Sequence, residues 1–577
     1  MEMSQRIGGR RVGLLGLLAG TSKMFDASQR ALLTLSAGLL LLVTTWVRAE
    51  EPAMSVAAAT GASIRDGQYQ VTIDVAPDGN DTASGLVGAP LKTVSRAVEL
   101  GAKASDQGKT VQIRIRAGVY RERIQLPRHT VDKPGLLCLE GKGDVILCGS
   151  DLWQKGWDRF YVTQQGWKWS AGDTRFEGAR IYKHDWPYAW ADCENPWGSA
   201  EVILDPIVKR PEQIFMNGKP LRLVLDFGDL QEGTFYVNQD VKKLYVWPPA
   251  NQEPQTALTE ISMRTNVLDT GGRNQVLIRG LTFRHALSIT YGNGMLVNGS
   301  TDVLVEQCTF EWNGWNGIGC ALARDVTIRH CVASENGIGG MGAYQTRNLL
   351  IEDCVDAGNN WRGRRGGFVN WANGSKYVFT RNLTFRRLKA SGNDTYGLWL
   401  DTDNRDVLIE DTELNDNLLG GVFLEANQGP ILMRNCYIHG NRFGIMDGRS
   451  DNVTLIGNRV GDNREAQVLV TGDPAGRKFV EFDSKKARFT RSLNWRVEGN
   501  QFFSTSPLAF LYTVAPHISD AEWGVIARQM KAGQNTYIFP ETAAFRVRDV
   551  NIGLPEWQQR YALDQDSTFV KKAGPAH

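Results

Sequence analysis

The stretch GLWLDTDNRDVLIEDTELNDNLLGGVFLEANQGP, residues 397 to 430, contains one short sequence pattern twice. Gly-Leu-Trp-Leu-Asp begins at Gly397 and Gly-Val-Phe-Leu-Glu begins at Gly421, 24 residues later, so the two copies end on the carboxylates Asp401 and Glu425. Each copy is a short apolar run followed by turn-forming residues, which is typical of a strand and a turn. A strand that recurs at such an interval predicts a solenoid.

Two registers extend this repeat over much of the chain. Apolar runs begin at Val276, Val303, Val326, Leu350, Val407, Ile431 and Val453, and most of them are 22 to 27 residues apart. Turn positions are occupied by Asn336, Asn360, Asn393, Asn417, Asn441 and Asn463. Asn tolerates left-handed backbone conformations and bonds to neighbouring backbone, so stacked Asn residues predict an internal ladder. Together the registers predict an all-β parallel β-helix, and the 33-residue step after Asn360 predicts one enlarged coil.

The regions around the repeat have other patterns. An amphipathic helix after Pro90 is expected to cap the first coil, hairpin patterns interrupt the period, and helical spacing returns at Asp520. The chain is therefore predicted to comprise a signal peptide (1–49), a linker (50–66), an N-terminal cap with the first coils (67–160), an inserted β-rich module (161–265), the main β-helix with an active-site groove (266–519) and a C-terminal cap (520–577).

The N-terminal region contains the chain's one long apolar run, residues 31–47. Val47-Arg48-Ala49 then resembles a small-x-small cleavage site, which predicts a secreted or periplasmic protein with no other membrane association. An uncleaved anchor is the alternative, although the run is short for a membrane span. The basic segment before the run leaves Met24 open as the true start.

Charge and cysteine patterns argue against a nucleic-acid partner, disulfide bonds and a zinc or redox site. Lys and Arg number 65 and Asp and Glu 63, so nothing favours nucleic acid as a partner. Cys308, Cys331 and Cys354 recur every 23 residues, which favours a ladder of buried thiols over disulfides. No C-x-x-C or H-E-x-x-H spacing occurs, so no zinc or redox site is indicated.

The alternation of a strand assigns the two carboxylates to one face. In Leu398-Trp-Leu-Asp401 the leucines are predicted to point inward, while Trp399 and Asp401 point to solvent, and the next coil repeats the arrangement up to Glu425. Stacked strands lie about 4.8 Å apart. Retaining glycosidases hold their carboxyl groups about 5–5.5 Å apart, against about 6.5–9.5 Å in inverting enzymes. Two carboxylates this close cannot both stay ionised, so one is expected to serve as the acid.

Other polar and aromatic residues flank the pair as candidate sugar-binding groups. Asp403 lies on the same face by parity and could orient a hydroxyl or replace the nucleophile, and aromatic rings suit the faces of pyranoses. Alignment on the leading glycines places Trp371 and Tyr344 in the column of Asp401. The candidates are Trp399, Asp403, Trp371, Asn370, Asn427, Tyr344, Trp361 and Asn404. Each candidate also has an alternative interpretation without a role in sugar binding. The acid could simply be solvated, the asparagines could form turns, and the aromatic residues could cover the surface of the solenoid.

Trp399-Leu-Asp401 followed by Glu425-Ala-Asn-Gln-Gly-Pro430 resembles the motifs of the β-helical β-xylosidase family of retaining glycoside hydrolases. The resemblance implies a right-handed parallel β-helix of the pectin-lyase-like class, with Asp401 as nucleophile and Glu425 as general acid/base. It is specific over residues 397–430. Thr402 and Gln428 stand where the family would place an aromatic residue and a histidine, and Asp403 is an additional acid, which leaves the sugar open.

The predicted function is an exported, xylosidase-like glycoside hydrolase that acts on a plant or algal polysaccharide or its oligosaccharides. This chemistry requires no cofactor, and loop carboxylates leave a structural Ca²⁺ open. A polysaccharide lyase or uronate C5-epimerase is the first alternative, with Arg362, Arg364 and Arg365 as candidate bases. A non-catalytic carbohydrate-binding surface solenoid is the second, because a fold alone carries no chemistry.

Overall fold

The structure is a computed structural model that describes residues 56–64, 67–162, 175–188, 206–207, 209–287, 292–363, 374–472 and 476–572. The predicted signal peptide lies outside these residues. Among the described helices, none has the length and apolar character needed to cross a bilayer.

Three parallel ladders of strands wind around one core, as the repeat predicts. The first comprises Val71–Val75, Val111–Tyr120, Leu137–Cys148, Val276–Arg279, Thr301–Glu306, Arg324–Arg329, Arg347–Glu352, Arg381–Arg386, Arg405–Glu410, Ile431–Arg434, Val453–Ile456, Arg496–Glu498 and Lys531–Gly533. The second begins with the C-terminal halves of the long strands Val111–Tyr120 and Leu137–Cys148. It continues through Thr282–Arg284, Thr309–Glu311, Val332–Ser334, Val355–Ala357, Lys389–Ser391, Glu413–Asn415, Tyr437–His439, Arg459–Gly461, Gln501–Phe503, Thr536–Phe539 and Thr568–Lys571.

The third sheet positions the candidate site. Its strands are Ile124–Gln125, Leu268–Asp269, Asn293–Asn298, Asn316–Ala321, Gly339–Tyr344, Lys376–Val378, Leu398–Asp401, Gly420–Glu425, Phe443–Gly448, Ala466–Val470, Phe510–Val514, Phe545–Val547 and Val550–Ile552. The last strand pairs antiparallel and the others pair parallel. Inward side chains of all three ladders form one continuous apolar core along the solenoid axis. The prediction of a parallel β-helix is confirmed.

The glycines that lead the repeated segments are required by close coil-to-coil packing. A Cβ atom on Gly397 would lie 2.7 Å from the carbonyl oxygen of Gly421. On Gly421 it would lie 2.9 Å from the carbonyl oxygen of Gly444. Real Cβ atoms do not approach backbone so closely, so these positions admit only glycine.

The asparagine ladder exists, with one change of member. The backbone N–H and Nδ2 of each Asn donate to Oδ1 of the Asn in the next coil, at 2.9 to 3.2 Å, through Asn313, Asn336, Asn359, Asn393, Asn417, Asn441 and Asn463. The prediction of Asn360 is therefore wrong, because Asn359 occupies the position and Asn360 follows it with φ +69°. The step from Asn359 to Asn393 spans 34 residues, which confirms the enlarged coil.

The cysteine ladder is also confirmed. Cys308, Cys331 and Cys354 are free, buried thiols, and each contacts backbone carbonyl oxygens of its own coil and of the preceding one. Cys148, Cys320 and Cys436 are free, buried thiols as well. The thiols pack as small apolar groups inside the coil.

A column of alternating charges runs along the outer surface of the first ladder, and we call it the charge ladder. Register pairing stacks Glu140, Arg279, Glu306, Arg329, Glu352, Arg386, Glu410 and Arg434 in consecutive coils. Ion pairs join most neighbours, such as Arg386 to Glu410 at 2.7 Å and Arg434 to Glu410 at 2.5 Å. Each coil step here brings opposite charges together.

Helices close the solenoid at both ends, as predicted. Val94–Ser105 is capped by Thr93, whose side chain accepts from the Arg96 N–H, and its apolar face joins the core of the first coils. At the other end, Asp520–Gln529 and Leu554–Tyr561 bury Trp523 and Trp557. Coil strands nevertheless continue to Lys571 within the predicted cap, so the cap is built around the last turns of the solenoid.

The inserted β-rich module lies between two strands of the solenoid. One sheet comprises Asp158–Phe160, Ile181–Asp185, Arg222–Val224, Thr234–Asn238 and Lys243–Trp247. The other comprises Ser150–Leu152, Ile214–Met216, Lys219–Pro220 and Thr259–Ser262, and a short 3-10 helix covers Phe227–Asp229. The predicted hairpins are confirmed. Ser150–Leu152 pairs with Thr259–Ser262, so the module begins at Ser150, earlier than the predicted residue 161.

A second, smaller insertion projects from the coil that follows Ala466–Val470. Its strands Arg477–Val480 and Ala487–Thr490 form an antiparallel hairpin, which we call the cover hairpin. It carries Arg477, Glu481 and Asp483 back to side chains of three earlier coils. The repeat pattern of the sequence gives no indication of this hairpin.

Candidate active site

The structure stacks Asp401 directly against Glu425. The two residues are register partners at the ends of the neighbouring parallel strands Leu398–Asp401 and Gly420–Glu425. Leu398 and Leu400 point into the core, which confirms the predicted alternation. Adjacent strands lie about 4.8 Å apart, so the carboxylates occupy one column one coil step apart.

The pair does not face open solvent, contrary to the prediction. Asp401 is 9% exposed and Glu425 is 5% exposed. Outward side chains of the same sheet form an apolar floor beside them, in which Phe423 packs against Trp399 with ring centroids 5.5 Å apart. The cover hairpin adds Arg477 to the site. Burial makes the charges of these carboxylates depend on the few groups that contact them.

Asp401 is held by a cation and a hydroxyl. Lys376 Nζ lies 2.7 Å from Oδ2 of Asp401, and the Thr402 hydroxyl donates to Oδ1 at 2.6 Å. Lys376 belongs to the strand one coil earlier and also lies over the Trp399 ring, 4.1 Å from its centroid. Each carboxylate oxygen thus has one partner and keeps a lone pair for a further contact.

Glu425 is held by one guanidinium group and one indole. Arg477 Nη1 lies 2.8 Å from Oε1 of Glu425, and Trp399 Nε1 donates to Oε2 at 3.1 Å. Trp399 therefore orients the carboxyl group, and its ring is covered by Lys376 on one side and contacts Phe423. The structure favours a positioning role for Trp399 over the predicted sugar platform.

The two carboxyl groups have opposite electrostatic biases. Burial alone would raise the pKa of Asp401, but the charges of Lys376 and Arg477, with hydrogen bonds from Lys376 and Thr402, hold it below its usual value of 3.8. Burial, reinforced by the negative charge of Asp401, raises the pKa of Glu425 above its usual 4.5. An ionised Asp401 beside a protonated Glu425 is the combination that divides a nucleophile from an acid.

Asp403 does not join the pair, because the strand ends at Asp401. Thr402 and Asp403 both have left-handed backbone conformations, with φ +45° and +57°, so the alternation of faces is lost after Asp401. Asp403 is completely buried and ion-paired with Arg381 at 2.8 Å. It also accepts from the Phe482 N–H at 2.8 Å and from Gln428 Nε2 at 2.7 Å. Asp403 thus anchors the cover hairpin, and its prediction as a sugar ligand or alternative nucleophile is wrong.

Asn404 and Asn427 form a second internal ladder. Asn404 Nδ2 donates to Asn427 Oδ1 at 2.8 Å, and Asn427 Nδ2 donates to the Ser450 hydroxyl at 3.1 Å. Both side chains are completely buried. Their amides hold the turn behind Asp401 and cannot reach a sugar, so their prediction as hydroxyl-binding residues is wrong.

The aromatic candidates divide between surface and core. Tyr344 is 47% exposed and lies in the column of Asp401, two coils earlier, as predicted. Trp361 is buried and packs near Trp312, so it offers no exposed face. Asn370 and Trp371 lie outside the described residues. Val378, rather than Trp371, pairs with Asp401, because Lys376–Val378 is the strand of the preceding coil.

The basic residues of the site, Lys376 and Arg477, are not indicated by the repeat pattern. Lys376 lies two residues before Val378, the register partner of Asp401. The enlarged coil changes the spacing before this strand, so the 24-residue period does not align it with Asp401. Arg477 follows Glu425 by 52 residues and arrives on the cover hairpin, outside the repeat. Of the arginines considered as lyase bases, Arg362 is buried and donates to the Arg210 carbonyl, while Arg364 and Arg365 lie outside the described residues.

Comparisons with known proteins agree with this fold. A family profile described as right handed beta helix region matches residues 265–365 and 357–460. A structure of XylC in complex with xylose is similar over 87% of this chain and 86% of that chain, with a TM-score of 0.60 and 14% identity. The mannuronan C-5 epimerase AlgE6 A-module of Azotobacter vinelandii gives a TM-score of 0.46 at 14% identity, covering 87% of this chain and 100% of that one. No curated protein sequence matches the chain. The solenoid is a right-handed parallel β-helix.

Proposed function

We propose that this right-handed β-helix is a retaining glycoside hydrolase in which Asp401 is the nucleophile and Glu425 the general acid/base. The observation that carries the proposal is the register pairing of two carboxyl groups whose pKa values are displaced in opposite directions. Strands about 4.8 Å apart match the separation of about 5–5.5 Å used by retaining enzymes better than the wider gap of inverting enzymes.

In the first step, an Asp401 oxygen attacks the anomeric carbon while Glu425 transfers its proton to the leaving oxygen. Lys376 and Thr402 keep the attacking carboxylate ionised and oriented. Trp399 and Arg477 orient Glu425. The products are a glycosyl ester on Asp401 and an ionised Glu425.

In the second step, Glu425 removes a proton from water as the water oxygen attacks the anomeric carbon, and the bond from that carbon to Asp401 breaks and restores the carboxylate. Esterification removes the negative charge of Asp401, and that charge is one of the two causes that raise the pKa of Glu425. The pKa of Glu425 therefore falls in the intermediate, and Arg477 stabilises the new carboxylate at 2.8 Å. One pair of groups can thus act first as an acid and then as a base.

The XylC complex makes xylose-containing glycosides the first substrates to test. Incubation with 2-deoxy-2-fluoro-xylosides carrying a good leaving group should trap the intermediate as a covalent adduct. Mass spectrometry of peptic peptides should place it on Asp401, and NMR should show that the first product retains its anomeric configuration. Products of inverted configuration, or an adduct on another residue, would contradict the mechanism.

The cations of the site favour one second candidate, a polysaccharide lyase or uronate C5-epimerase. Lys376 and Arg477 each contact one carboxyl group of the pair, and a uronate substrate would need a base and a cation to neutralise its own carboxylate. This reaction gives an unsaturated, ultraviolet-absorbing product or an inverted C5 centre, with no adduct on Asp401. Glycan binding without turnover of any substrate would indicate the non-catalytic solenoid.

Export is part of the proposal, on the strength of the apolar run at residues 31–47 and the Val47-Arg48-Ala49 site. Expression of the full chain in a bacterial host, with fractionation and N-terminal sequencing, tests it. A product that begins at Glu50 outside the cytoplasm is expected. A chain that retains residues 31–47 and sediments with membranes would indicate an anchor instead.

A further inference from the structure

A buried polar cluster lies at the junction between the solenoid and the inserted module. Cys148 ends the strand Leu137–Cys148 of the solenoid, and Ser150 begins the first strand of the module. Glu260 lies in the module's last strand, and His285 follows the solenoid strand Thr282–Arg284 in a left-handed turn, with φ +61°. None of these four residues is more than 4% exposed.

One atom from each of the four residues faces a common centre. Ser150 Oγ lies 3.1 Å from Cys148 Sγ, 3.2 Å from His285 Nδ1 and 3.0 Å from Glu260 Oε1. The other three separations are 3.9 Å from Sγ to Nδ1, 4.0 Å from Sγ to Oε1 and 3.7 Å from Nδ1 to Oε1. The four atoms thus form a flattened tetrahedron, in which Ser150 Oγ lies nearer to the other three atoms than those atoms lie to one another.

This tetrahedron has the size of a zinc coordination sphere. Bonds of about 2.3 Å to sulfur and about 2.0–2.2 Å to nitrogen and oxygen separate tetrahedral ligand atoms by about 3.3–3.6 Å. The observed separations of 3.0 to 4.0 Å lie on both sides of that range, so small side-chain adjustments suffice. Thiolate, imidazole and carboxylate are the donors that Zn²⁺ prefers, and the hydroxyl of Ser150 completes four.

The cluster also has more lone pairs than hydrogens. Six contacts join the four atoms, but at most three hydrogens can lie among them, one each from the Ser150 hydroxyl, the Cys148 thiol and His285 Nδ1, and Arg121 adds a donor from outside. The Nε2 atom of His285 is buried without a hydrogen-bond partner, so the ring's polar contacts all pass through Nδ1. Buried acceptors that face each other are costly unless a cation lies between them.

We propose that Cys148, Ser150, Glu260 and His285 form a closed structural site for a divalent transition-metal ion, with Zn²⁺ as the best match. All four ligand positions come from the protein and exclude water, so the ion has no open position for catalysis. Two ligands belong to the solenoid and two to the module. The ion therefore clamps the module to the coils that carry it.

Arg121 sets the strength of this site. Its Nη1 contacts Glu260 Oε1 at 2.7 Å, the Ser150 hydroxyl and carbonyl oxygens at 3.0 Å each, and Cys148 Sγ at 3.5 Å. With thiolate, carboxylate and guanidinium present, Zn²⁺ leaves one excess positive charge, whereas a metal-free cluster with a charged imidazole is neutral. That hydrogen-bonded ion network is the competing state, and removal of the Arg121 charge should tighten metal binding.

The test uses the full chain, purified without a polyhistidine tag and stripped with a chelator. Titration with Co²⁺ should produce a thiolate-to-metal charge-transfer band and the visible bands of a tetrahedral site, saturating at one ion per chain. Zn²⁺ should abolish these bands by competition and raise the unfolding temperature by several degrees. Elemental analysis should find one zinc per chain after dialysis.

Cys148→Ser and Glu260→Gln should each lose the charge-transfer band or lower the metal content at least tenfold. Cys436→Ser, which changes a buried thiol away from the cluster, should leave both unchanged. Circular dichroism confirms that each variant is folded, and the Co²⁺ spectrum of the unaltered protein requires no variant. A folded, unaltered chain without the charge-transfer band, or one whose metal binding survives Cys148→Ser, overturns the proposal.

Discussion

Two columns of charged residues run along the same solenoid with the same coil step, but they are built in opposite ways. In the charge ladder each step pairs an acid with a base, as between Glu410 and Arg434 at 2.5 Å. In the site column the step stacks Asp401 on Glu425. Two negative charges about 5 Å apart repel by about 3 kcal/mol at an effective dielectric constant of about 20.

The difference shows what the site column is for. The charge ladder neutralises itself within the repeat, since its acids and bases are supplied by successive coils. The site column instead takes Lys376 from the preceding coil and Arg477 from the cover hairpin. A repeat that can alternate charges at one column and yet stacks two acids at another raises the pKa of one of them, here Glu425, which is typical of catalytic carboxyl pairs.

The largest effect on activity is expected when the proposed nucleophile of the site column is removed. Asp401→Asn should lower kcat/KM by roughly 10⁴-fold or more, because no covalent intermediate can form. The same change breaks the ion pair with Lys376, and the lowered pKa of Asp401 shows that its ionised form stabilises the fold, so the unfolding temperature should fall. Hydrolysis of xylosides and thermal unfolding measure the two effects. An active variant, with a rate within tenfold of the original, would exclude Asp401 as nucleophile.

Glu425→Gln should lower kcat by about 10²–10⁴-fold, and least for substrates whose leaving group needs no proton. Activity requires an ionised Asp401 and a protonated Glu425. The unaltered protein should therefore lose activity as pH rises through the raised pKa of Glu425, and as pH falls through the lowered pKa of Asp401. The variant should lose the alkaline limb of the pH profile. A profile that keeps this limb would assign it to another group.

In the charge ladder, Glu410→Gln should destabilise the fold without affecting catalysis. Its buried carboxylate pairs with Arg386 and Arg434, so neutralising it should lower the free energy of unfolding by about 1–3 kcal/mol in urea titrations. Glu556→Gln, which breaks an exposed helical pair with Arg560, should cost less than about 0.5 kcal/mol. Equal effects of the two changes would mean that the ladder adds nothing beyond surface ion pairs.

The smallest effect is expected at Lys376, the cation that the preceding coil supplies to the site column. Lys376→Gln removes a charge that lowers the pKa of Asp401, so that pKa should rise and the acidic limb of the pH profile should move to higher pH. At the pH optimum a loss of about tenfold is expected. Lys389→Gln, which alters a lysine paired with Glu413 on another ladder, is the matched control. An acidic limb unmoved by the first change would separate Lys376 from the titration of Asp401.

The repeat was readable from the sequence because its contacts are periodic. Each coil rests on its neighbour at a nearly constant interval, so the 24-residue spacing of Gly397 and Gly421 sufficed to place Asp401 against Glu425. The same logic failed one residue beyond the strand. Two left-handed residues, Thr402 and Asp403, reverse the chain there, and parity no longer assigns a face.

Insertions account for the other differences. The enlarged coil displaces the strand Lys376–Val378 from the glycine alignment, so Trp371 was placed in a column that Val378 occupies. The polar cluster of Cys148, Ser150, Glu260 and His285 brings together residues that are up to 137 positions apart in the chain, so no short motif spacing could reveal it. Asn404 and Asn427 were identified as turn residues, but their complete burial is a property of the stacked coils.

The sequence by itself determined the solenoid, its core, its asparagine and cysteine ladders and the stacking of one acid upon another, because a periodic chain repeats each local contact. Only the tertiary structure decided which acid is ionised, which groups are buried and how Lys376, Arg477 and Arg381 reach the site. Those outcomes depend on charges brought together across irregular insertions, and electrostatic interactions depend on distance in space rather than on separation along the chain.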